Sequence, residues 1–575
     1  MSAGLGNVPS AQTYLDITQG NRVFDSLYSS QLPALSPPGG CSAWWRAVLR
    51  RAESAPAEIV PGLLALSLEA AGVGVRLGGA APCPYAVPAQ RKSALASLQG
   101  AGETSPPHST GTFEVRATSL PGLRTLVGRL RADDLLIAIE RPPPANDRAL
   151  AIGIAGRGFA GNLTSGSTRM EGYVLSTDIA PTVLRRLGIP IPSQVSGQPI
   201  RSEGSTDPGE VVALGNRMAA ISGRRGPVIG VGLAVWLALL GLVVVLTRRR
   251  RARLGVRLLG LSVVYLPLVL LFAAALEPSQ AAEQAIAILG APLLATLTLA
   301  ALGGYRALAF ASAATVLAYA VDVIVGSPLT TISLLGPNPG LGVRFYGIGN
   351  ELEALLAVLV VSGTGAGLVG FAPRLSARGC AIAFLAIGLS FAAIFALGQF
   401  GADVGAAIDF PAGAAVAAAA IAAHRRRTLW LVLAAPFVAV ALLALADLVS
   451  GANAHLTRSV LDAGGFSQLA EVAQRRLELS ARSFVRPVVF VFLPLILVLL
   501  ALAVLRRDRL RTWVRGLPAM RAGLLGGLVA VVVGALANDS GALMLEIGGA
   551  YLAVFAGYVW AESRRSGEAR MIDYP

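Results

Sequence analysis

The sequence contains few of the residues from which metal and redox centres are built. It has only 3 cysteines and 3 histidines in 575 residues, and no two cysteines have the spacing of a CxxC metal cluster. We therefore expect no bound metal ion and no cofactor. Cys41 and Cys83 can pair only if their domain lies outside the cytoplasm, whereas Cys380 starts an apolar run and is interpreted as a packing residue.

Charged residues are also scarce. They make up 14% of the chain, 54% of the residues are apolar, and the mean hydropathy is +0.63. This composition excludes a protein that is soluble and globular throughout. The formal net charge of +15 would fit nucleic-acid binding, but the arginines occur in short runs between apolar segments, where membrane topology accounts for them. The sequence therefore predicts a membrane protein whose partner is the lipid bilayer and not a nucleic acid.

The first part of the chain differs in composition from the rest. Residues 1–225 have ordinary soluble character, with loops rich in proline, glycine and serine. Residues 134–140 and 149–155 predict buried strands, and residues 63–77 predict a helix that leads into a short strand. We therefore expect residues 1–225 to form one α/β domain.

Residues 226–561 alternate apolar runs with short connectors. Each run is close to the roughly 20 residues that an α-helix needs to cross a bilayer. We expect an all-α transmembrane bundle of about 11 helices, followed by a tail at 562–575. The predicted spans are 227–247, 256–276, 284–303, 307–325, 352–371, 380–398, 406–423, 429–449, 488–505, 522–537 and 542–560.

The arginines of the connectors predict the orientation, because arginine accumulates on the cytoplasmic side of membrane proteins. Clusters such as 248–251 and 425–427 stand at every second connector, and only Arg344 and the long loop 450–487 depart from this pattern. Residues 1–225 are therefore expected outside the cytoplasm and the tail inside. Since no signal peptide opens the sequence, either the first span carries residues 1–225 across the membrane or the natural start lies upstream of Met1, and we favour the second explanation.

One stretch of the first domain resembles a known family. Residues 172–188, GYVLSTDIAPTVLRRLG, preceded by AIGIAGRGFAGNLTSGSTR at 151–169, resemble the C-terminal part of the alkaline phosphatase-like superfamily. The resemblance covers about fifty residues, 149–200. It implies an α/β fold with a two-metal site and a serine or threonine nucleophile, since the metals polarise the transferred group and activate the nucleophile.

This resemblance is incomplete at the positions that would carry the chemistry. His108 is the only histidine in residues 1–225, and Glu140 and Arg141 stand where the family has an Asp-His pair. Ser10 and Thr13 are placed where a nucleophile would follow the first strand, but we interpret both as residues of a helix start. The sequence therefore predicts an incomplete, degenerate relative that holds no metal and has no phosphatase activity.

The membrane half carries its own motif, Y-G-I-G-N-E at 346–351. The whole arrangement is similar to bacterial membrane proteins that join an alkaline phosphatase-like domain to a multi-span half with this motif. This second resemblance implies an architecture and a place in the plasma membrane of a bacterium, and it implies no particular activity.

Polar motifs at four predicted outward-facing joints indicate a shared cleft. They lie at 334–353, 401–405, 455–458 and 538–541, beside apolar spans in which an ionisable group is costly without a use. The same residues would also serve as helix caps and tight turns. The catalytic candidates are Glu351, Asp403, His455 and Asp539, and the substrate-binding candidates are Arg344, Tyr346, Asn350, Arg458 and Asn538.

Three classes of function remain open for this cleft. An enzyme acting on a lipid-linked or phosphorylated envelope substrate would use Glu351 or Asp403 as a base and His455 as its acid-base partner, with Arg344 or Arg458 holding a phosphate. A transporter or flippase would use the same acids for proton or ion coupling. A non-catalytic envelope assembly scaffold would use none of them. The sequence leaves the substrate and the oligomeric state open.

The orientation is testable with reporter fusions. We expect fusions after Arg251, Arg378, Arg427 and Arg509 to show cytoplasmic activity, because each follows an arginine cluster, and a fusion near Gly340 or Gly451 to show an external location. The measurement is the activity of paired alkaline phosphatase and fluorescent protein reporters. A cytoplasmic signal near Gly340 would overturn the outward cleft.

Overall fold

The computed structural model describes most of the chain. It covers residues 1–23 except 3 and 5–7, residues 32–35, 40–55 and 58–78, residues 112–422 except 147, 248 and 343, short stretches at 480–481, 483–484, 493–494, 496–498 and 501, and residues 505–572. The chain forms two compact units. Unit 1 comprises Met1–Ala220 and Asn338–Phe345, and unit 2 comprises Ile221–Pro337 and Tyr346–Pro575.

Unit 1 combines short strands and helices. Its strands pair two by two, with β2·β3 parallel and β1·β5, β4·β6 and β7·β8 antiparallel. The strands are β1 Val8–Pro9, β2 Gly74–Gly78, β3 Thr112–Arg116, β4 Leu135–Ile139, β5 Ala145–Asn146, β6 Ile152–Gly156, β7 Asn162–Ser165 and β8 Ile200–Glu203. The helices are α1 Ser10–Gln19, α2 Gly40–Ser54, α3 Leu63–Ala70, α4 Leu120–Val127, α5 Ile179–Arg186 and α6 Pro208–Arg225, the last of which ends in unit 2.

The positions of the predicted strands and helix of unit 1 are confirmed, but β4 and β6 are only partly buried, whereas buried strands were predicted. The apolar stretches at 134–140 and 149–155 become β4 and β6, which pair with each other, and residues 63–77 become α3 followed by β2. Ser10 begins α1, as a helix-start residue should. The described strands form two-stranded pairs and no larger sheet, so one α/β domain stays a prediction.

Unit 2 is helical. Its helices are α7 Val231–Leu246, α8 Arg249–Ala274, α9 Gln280–Ala301, α10 Gly304–Ile324, α11 Pro328–Ile332, α12 Asn350–Phe371, α13 Ala377–Ala396, α14 Ala406–Ala422, α15 Arg507–Trp513, α16 Pro518–Ala537 and α17 Gly541–Ile572. Such helices suit an apolar solvent because they satisfy their backbone hydrogen bonds internally. Serine residues cap the starts of two of these helices. The Ser279 hydroxyl, before α9, accepts a hydrogen bond from the backbone N–H of Ala282, and the Ser376 hydroxyl, before α13, accepts one from Gly379.

The predicted number of about 11 spans is wrong for the described residues. Eight helices there are long and apolar enough to cross a membrane, with α6 and α7 forming one continuous helix, Pro208–Leu246. The predicted span 406–423 is the shorter helix α14, which starts at Ala406 and continues through Pro411 without a break. The predicted span 429–449 lies outside the described residues, as does most of 488–505.

Small residues hold the centre of unit 2 together. Helix α16 packs against α12 and α14 through glycines, and a methyl group at Gly526 would collide with the carbonyl oxygen of Gly413. At Gly523, an added Cβ would lie 3.1 Å from the Cα of Gly365 on α12. Close approach of backbones through small residues is the usual basis of helix packing in membranes, where burial of apolar surface gives little driving force.

This packing predicts different effects for two glycine-to-alanine changes. Gly526→Ala should lower the free energy of unfolding by about 1–3 kcal/mol, because the new methyl group must push α14 away. Gly241→Ala in α7 is the matched control, since nothing lies within 4 Å of a Cβ built there. Thermal unfolding of both purified variants in detergent checks this. Equal unfolding midpoints would contradict the packing described above.

Candidate functional site

The candidate site lies at one end of the helix bundle of unit 2, which we call the site end. Helices α12, α14 and α17 begin there, and α16 ends there. The irregular segments that lead into α12 and α14 meet directly, because the backbone N–H of Ile348 donates to the carbonyl oxygen of Gly401 at 3.3 Å. Two helix amino ends therefore converge on one region, and such ends favour negative charge.

Two candidate residues of the sequence analysis are brought together at the site end. The side-chain amide of Asn350, in the first turn of α12, donates to Asp539 Oδ1 at 2.9 Å. The Ser540 hydroxyl donates to the same oxygen at 3.2 Å. Because Asp539 lies in the turn between α16 and α17, the Asn350 contact ties the start of α12 to that turn.

A second link lies deeper in the bundle. The side-chain amide of Asn538 donates to Glu353 Oε2 at 2.6 Å, and Glu353 is completely buried. The sequence analysis assigned Asn538 to substrate binding, but here its amide holds a carboxyl group of α12. Glu353 itself was not among the candidates. Helix α12 is apolar on nearly every face, so its sequence gives no signal for which of its two early acids is buried.

Asp409 is a further acid that the sequence analysis did not select. It lies in the first turn of α14, is completely buried, and has its carboxyl within hydrogen-bonding range of Glu353. A methyl group at Gly405 would collide with Glu353 Oε1, so the glycine allows the start of α14 to approach that carboxyl. The site therefore contains two completely buried acids from the first turns of two helices.

Asp403 has a local structural role. It is buried, and its Oδ1 accepts a hydrogen bond from the backbone N–H of Gly405 at 2.9 Å. The preceding Ala402 has a φ of 53°, which belongs to the left-handed region. The carboxyl thus supports a tight turn before α14, as short polar side chains commonly do.

Glu351 forms an ion pair that the sequence did not predict. Its Oε1 lies 3.2 Å from Arg225 Nη1, and both side chains are about a quarter exposed, at 28% and 25%. The other guanidinium nitrogen of Arg225 donates to the carbonyl oxygen of Gly336 at 2.5 Å. Next to it, Arg224 donates to the carbonyl oxygen of Pro278 at 2.8 Å and pairs with the buried Glu283 at 3.3 Å.

The loop that leads to α12 is fixed at two places. The carboxylate of Asp322, near the end of α10, accepts hydrogen bonds from the backbone N–H groups of Leu329 at 3.0 Å and Thr330 at 2.7 Å. The Ser327 hydroxyl accepts from the backbone N–H of Gly347 at 3.0 Å. The two ends of the segment between α10 and α12 are therefore attached to each other.

The remaining candidates are not part of this set. Arg344 belongs to unit 1, in the segment Asn338–Phe345. Tyr346 lies in unit 2 and is half-buried. His455 and Arg458 lie outside the described residues. In the part of the chain that the structure describes, no group of three or more His, Cys, Asp and Glu side chains is arranged to hold a metal ion.

In unit 1, the carboxyl groups of Asp178 and Glu140 accept hydrogen bonds from neighbouring groups. Asp178 accepts hydrogen bonds from the hydroxyls of Ser165 at 2.6 Å and Ser167 at 2.5 Å, and from the backbone of Leu175 and Gln198 at 2.9 Å. Glu140 pairs with Arg148, whose guanidinium holds the pKa of that carboxyl below its ordinary value.

The side chain of Cys380 is buried, and its thiol is not part of a disulfide. The side chains of Cys41 and Cys83 are not described, so their pairing stays open.

No known protein-family model matches the chain, and no curated protein or solved structure matches it either. The function is therefore argued from the geometry of the described residues.

The turn role of Asp403 is testable by substitution. Asp403→Asn should leave stability nearly unchanged, because the amide oxygen still accepts from the N–H of Gly405, whereas Asp403→Ala should cost about 1 kcal/mol. Thermal unfolding of both variants in detergent measures the difference. If Asn proves as damaging as Ala, the negative charge itself is required and Asp403 returns to the set of functional acids.

Proposed function

We propose that unit 2 is a transporter, of the flippase kind, that moves a lipid-linked or phosphorylated envelope substrate across the plasma membrane of a bacterium. The observation that carries this proposal is that each end of the bundle has an ion pair between different helices. Transport by alternating access needs two gates that open in turn around a common site.

At the site end, the gate is the pair Arg225–Glu351. It joins the start of the first span to the start of α12, at 3.2 Å. Because both side chains are partly exposed, solvent competes with the pair, and exposed pairs contribute roughly 0–1 kcal/mol. A contact this weak can break in the course of a transport cycle.

The opposite end of unit 2, which we call the far end, carries a second pair. Arg257 Nε of α8 lies 3.0 Å from Glu562 Oε2 of α17, and both side chains are less than a tenth exposed, at 8% and 9%. The guanidinium carbon of Arg257 lies 5.8 Å from the centre of the Tyr558 ring. The Tyr558 hydroxyl donates to the carbonyl oxygen of Gly304 at 2.7 Å, which adds α10 to this gate.

The proposed orientation follows from the arginine clusters. With clusters such as 248–251 on the cytoplasmic side, the far end faces the cytoplasm and the site end faces outward. Residues 1–225 would then lie outside. We further propose that they form a degenerate alkaline phosphatase-like module that presents substrate without hydrolysing it. The use of Asp178 by two serine hydroxyls and two backbone groups supports a structural role for that acid.

One observation favours a second candidate, an enzyme acting on a lipid-linked envelope substrate. Glu351 and Arg225 are the site-end residues that pair a partly exposed acid with a partly exposed cation. An arginine can hold a phosphate while a neighbouring carboxylate acts as base. The transporter is preferred because a surface enzyme has no use for a gate at the far end.

The proposal is testable by the accessibility of a reporter cysteine. In a full-length background without Cys41, Cys83 and Cys380, a cysteine at Ala354 places a thiol at a fully buried position one turn beyond Glu351. Glu351→Gln removes the ion pair of the site-end gate and should raise labelling by an external impermeant maleimide about fivefold. This factor corresponds to the loss of about 1 kcal/mol of pairing free energy. Glu562→Gln weakens the far-end gate and should lower that labelling.

The control variant is Glu114→Gln, which removes an exposed pair with Arg116 in unit 1 and should leave labelling unchanged. Complementation of the envelope phenotype of a deletion strain is measured in parallel with membrane abundance. If neither gate variant alters labelling, the two ends do not alternate, and the enzyme or the scaffold becomes the better interpretation.

A further inference from the structure

Two completely buried acids at the site end of unit 2 have an arrangement that the gates do not explain. Glu353 of α12 and Asp409 of α14 are completely buried, and their carboxyls are within hydrogen-bonding range of each other. Besides the nearby backbone N–H groups of Asp409 and Phe410, no N–H or O–H donor among the described residues reaches Oδ1 or Oδ2 of Asp409. Since a carboxylate can only accept, a hydrogen bond between two carboxyl groups requires a proton on one of them.

Apolar and acidic groups surround Asp409. The carboxyl of Asp403, which is also buried, belongs to the turn before the same helix. Helix α16 presents Gly534 to the carboxyl, with Asp409 Oδ2 3.0 Å from a Cβ built there, and α13 contributes Phe395, which packs on Phe410. The arginines of the site end are engaged elsewhere, Arg225 with Glu351 and Arg224 with Glu283.

Asn538 positions the pair. Its amide donates to Glu353 Oε2 at 2.6 Å, which fixes the orientation of that carboxyl and stabilises its charged form once the proton leaves. The glycine at 405 allows the close approach, because any larger residue would collide with Glu353 Oε1. Two elements outside the pair thus hold the two carboxyls in contact.

We propose that Glu353 and Asp409 form a proton-binding site that couples transport to proton movement, the coupling resting on the transport function proposed above. When the site end opens, a proton from water forms an O–H bond with one carboxyl and is shared with the other by a hydrogen bond. When the far end opens, that O–H bond breaks, the proton passes to water, and the pair gains one negative charge. Enclosed acids of this kind are characteristic of proton relays in membrane proteins.

The ligand is a proton and not a metal ion. Metal ions that prefer oxygen take about six or more ligands, whereas no group of three or more His, Cys, Asp and Glu side chains in the described residues is arranged to hold one. The difference is measurable, because a proton site titrates with pH in any salt and a metal site depends on the cation present.

The test is infrared difference spectroscopy of the full chain in lipid vesicles, following the C=O stretch of protonated carboxyl groups as a function of pH. The wild-type chain should show a titrating band that is the same in sodium and potassium buffers. Glu353→Gln and Asp409→Asn should each abolish it. Asp508→Asn, which removes an exposed acid paired with Arg511, should leave it intact. Each of these two variants tests the pair by itself. If one of them does not accumulate in the membrane, the other still decides the question.

Asn538→Leu separates a positioning role from a structural one. Loss of the hydrogen bond to Glu353 destabilises the charged form, so the titration midpoint of the band should move to higher pH while the band itself remains. An unchanged midpoint would refute the positioning role.

Persistence of the band in both single variants, or its dependence on sodium, would overturn the proton site. The outcome is independent of transport, because the band needs no substrate. A titrating pair together with unchanged thiol labelling in the gate variants would keep the proton site and reject the transporter. Thiol labelling that changes in the gate variants, in the absence of the titrating band, would keep the transporter and reject the proton site.

Discussion

The structure of the site end depends on keeping carboxyl groups inside an apolar helix bundle. An ionised carboxylate without partners is too costly to remain charged in such surroundings, so each acid needs a donor, a cation or a proton. Glu353 has the amide of Asn538, Glu351 has the guanidinium of Arg225, and Asp403 has the backbone of Gly405. Asp409 faces another carboxyl, and this exception is what gives the site a chemical property that caps and turns lack.

These contacts also explain why small residues gather in the same helices. Carboxyls on α12 and α14 can meet only if the helices approach closely, and Gly405, Gly413 and Gly526 remove the side chains that would keep them apart. The close packing of the helices is therefore what allows their buried acids to approach each other.

The sequence predicted the parts of the fold that depend on local pattern. Helix α12 was expected at 352–371 and is found at Asn350–Phe371, strand β4 lies within the predicted stretch 134–140, and β6 overlaps 149–155. Of the eleven predicted spans, 429–449 and most of 488–505 lie outside the described residues, and 406–423 is helix α14, which is apolar but only 17 residues long. Hydropathy identifies apolar runs and does not give the length of the helix that each run forms.

The site was predicted only in part for a similar reason. Polar residues beside apolar runs identified Asn350, Asp539 and Asn538, because such positions are expensive without a use. The pairing partners came from distant parts of the chain, as with Arg225, which is 126 positions from Glu351 and simply precedes an apolar run. No local pattern distinguishes such an arginine from one that only marks the membrane boundary. Long-range pairing of this kind is a property of the folded bundle.

The attachment of the loop between α10 and α12 has a thermodynamic consequence. A connection of this length would ordinarily sample many conformations, and a ligand that ordered it would lose binding free energy to that ordering. The hydrogen bonds from Asp322 and Ser327 restrict both ends of the segment during folding. A ligand that contacted the two ends of this segment would therefore lose little binding free energy to their ordering, because the hydrogen bonds have already restricted them.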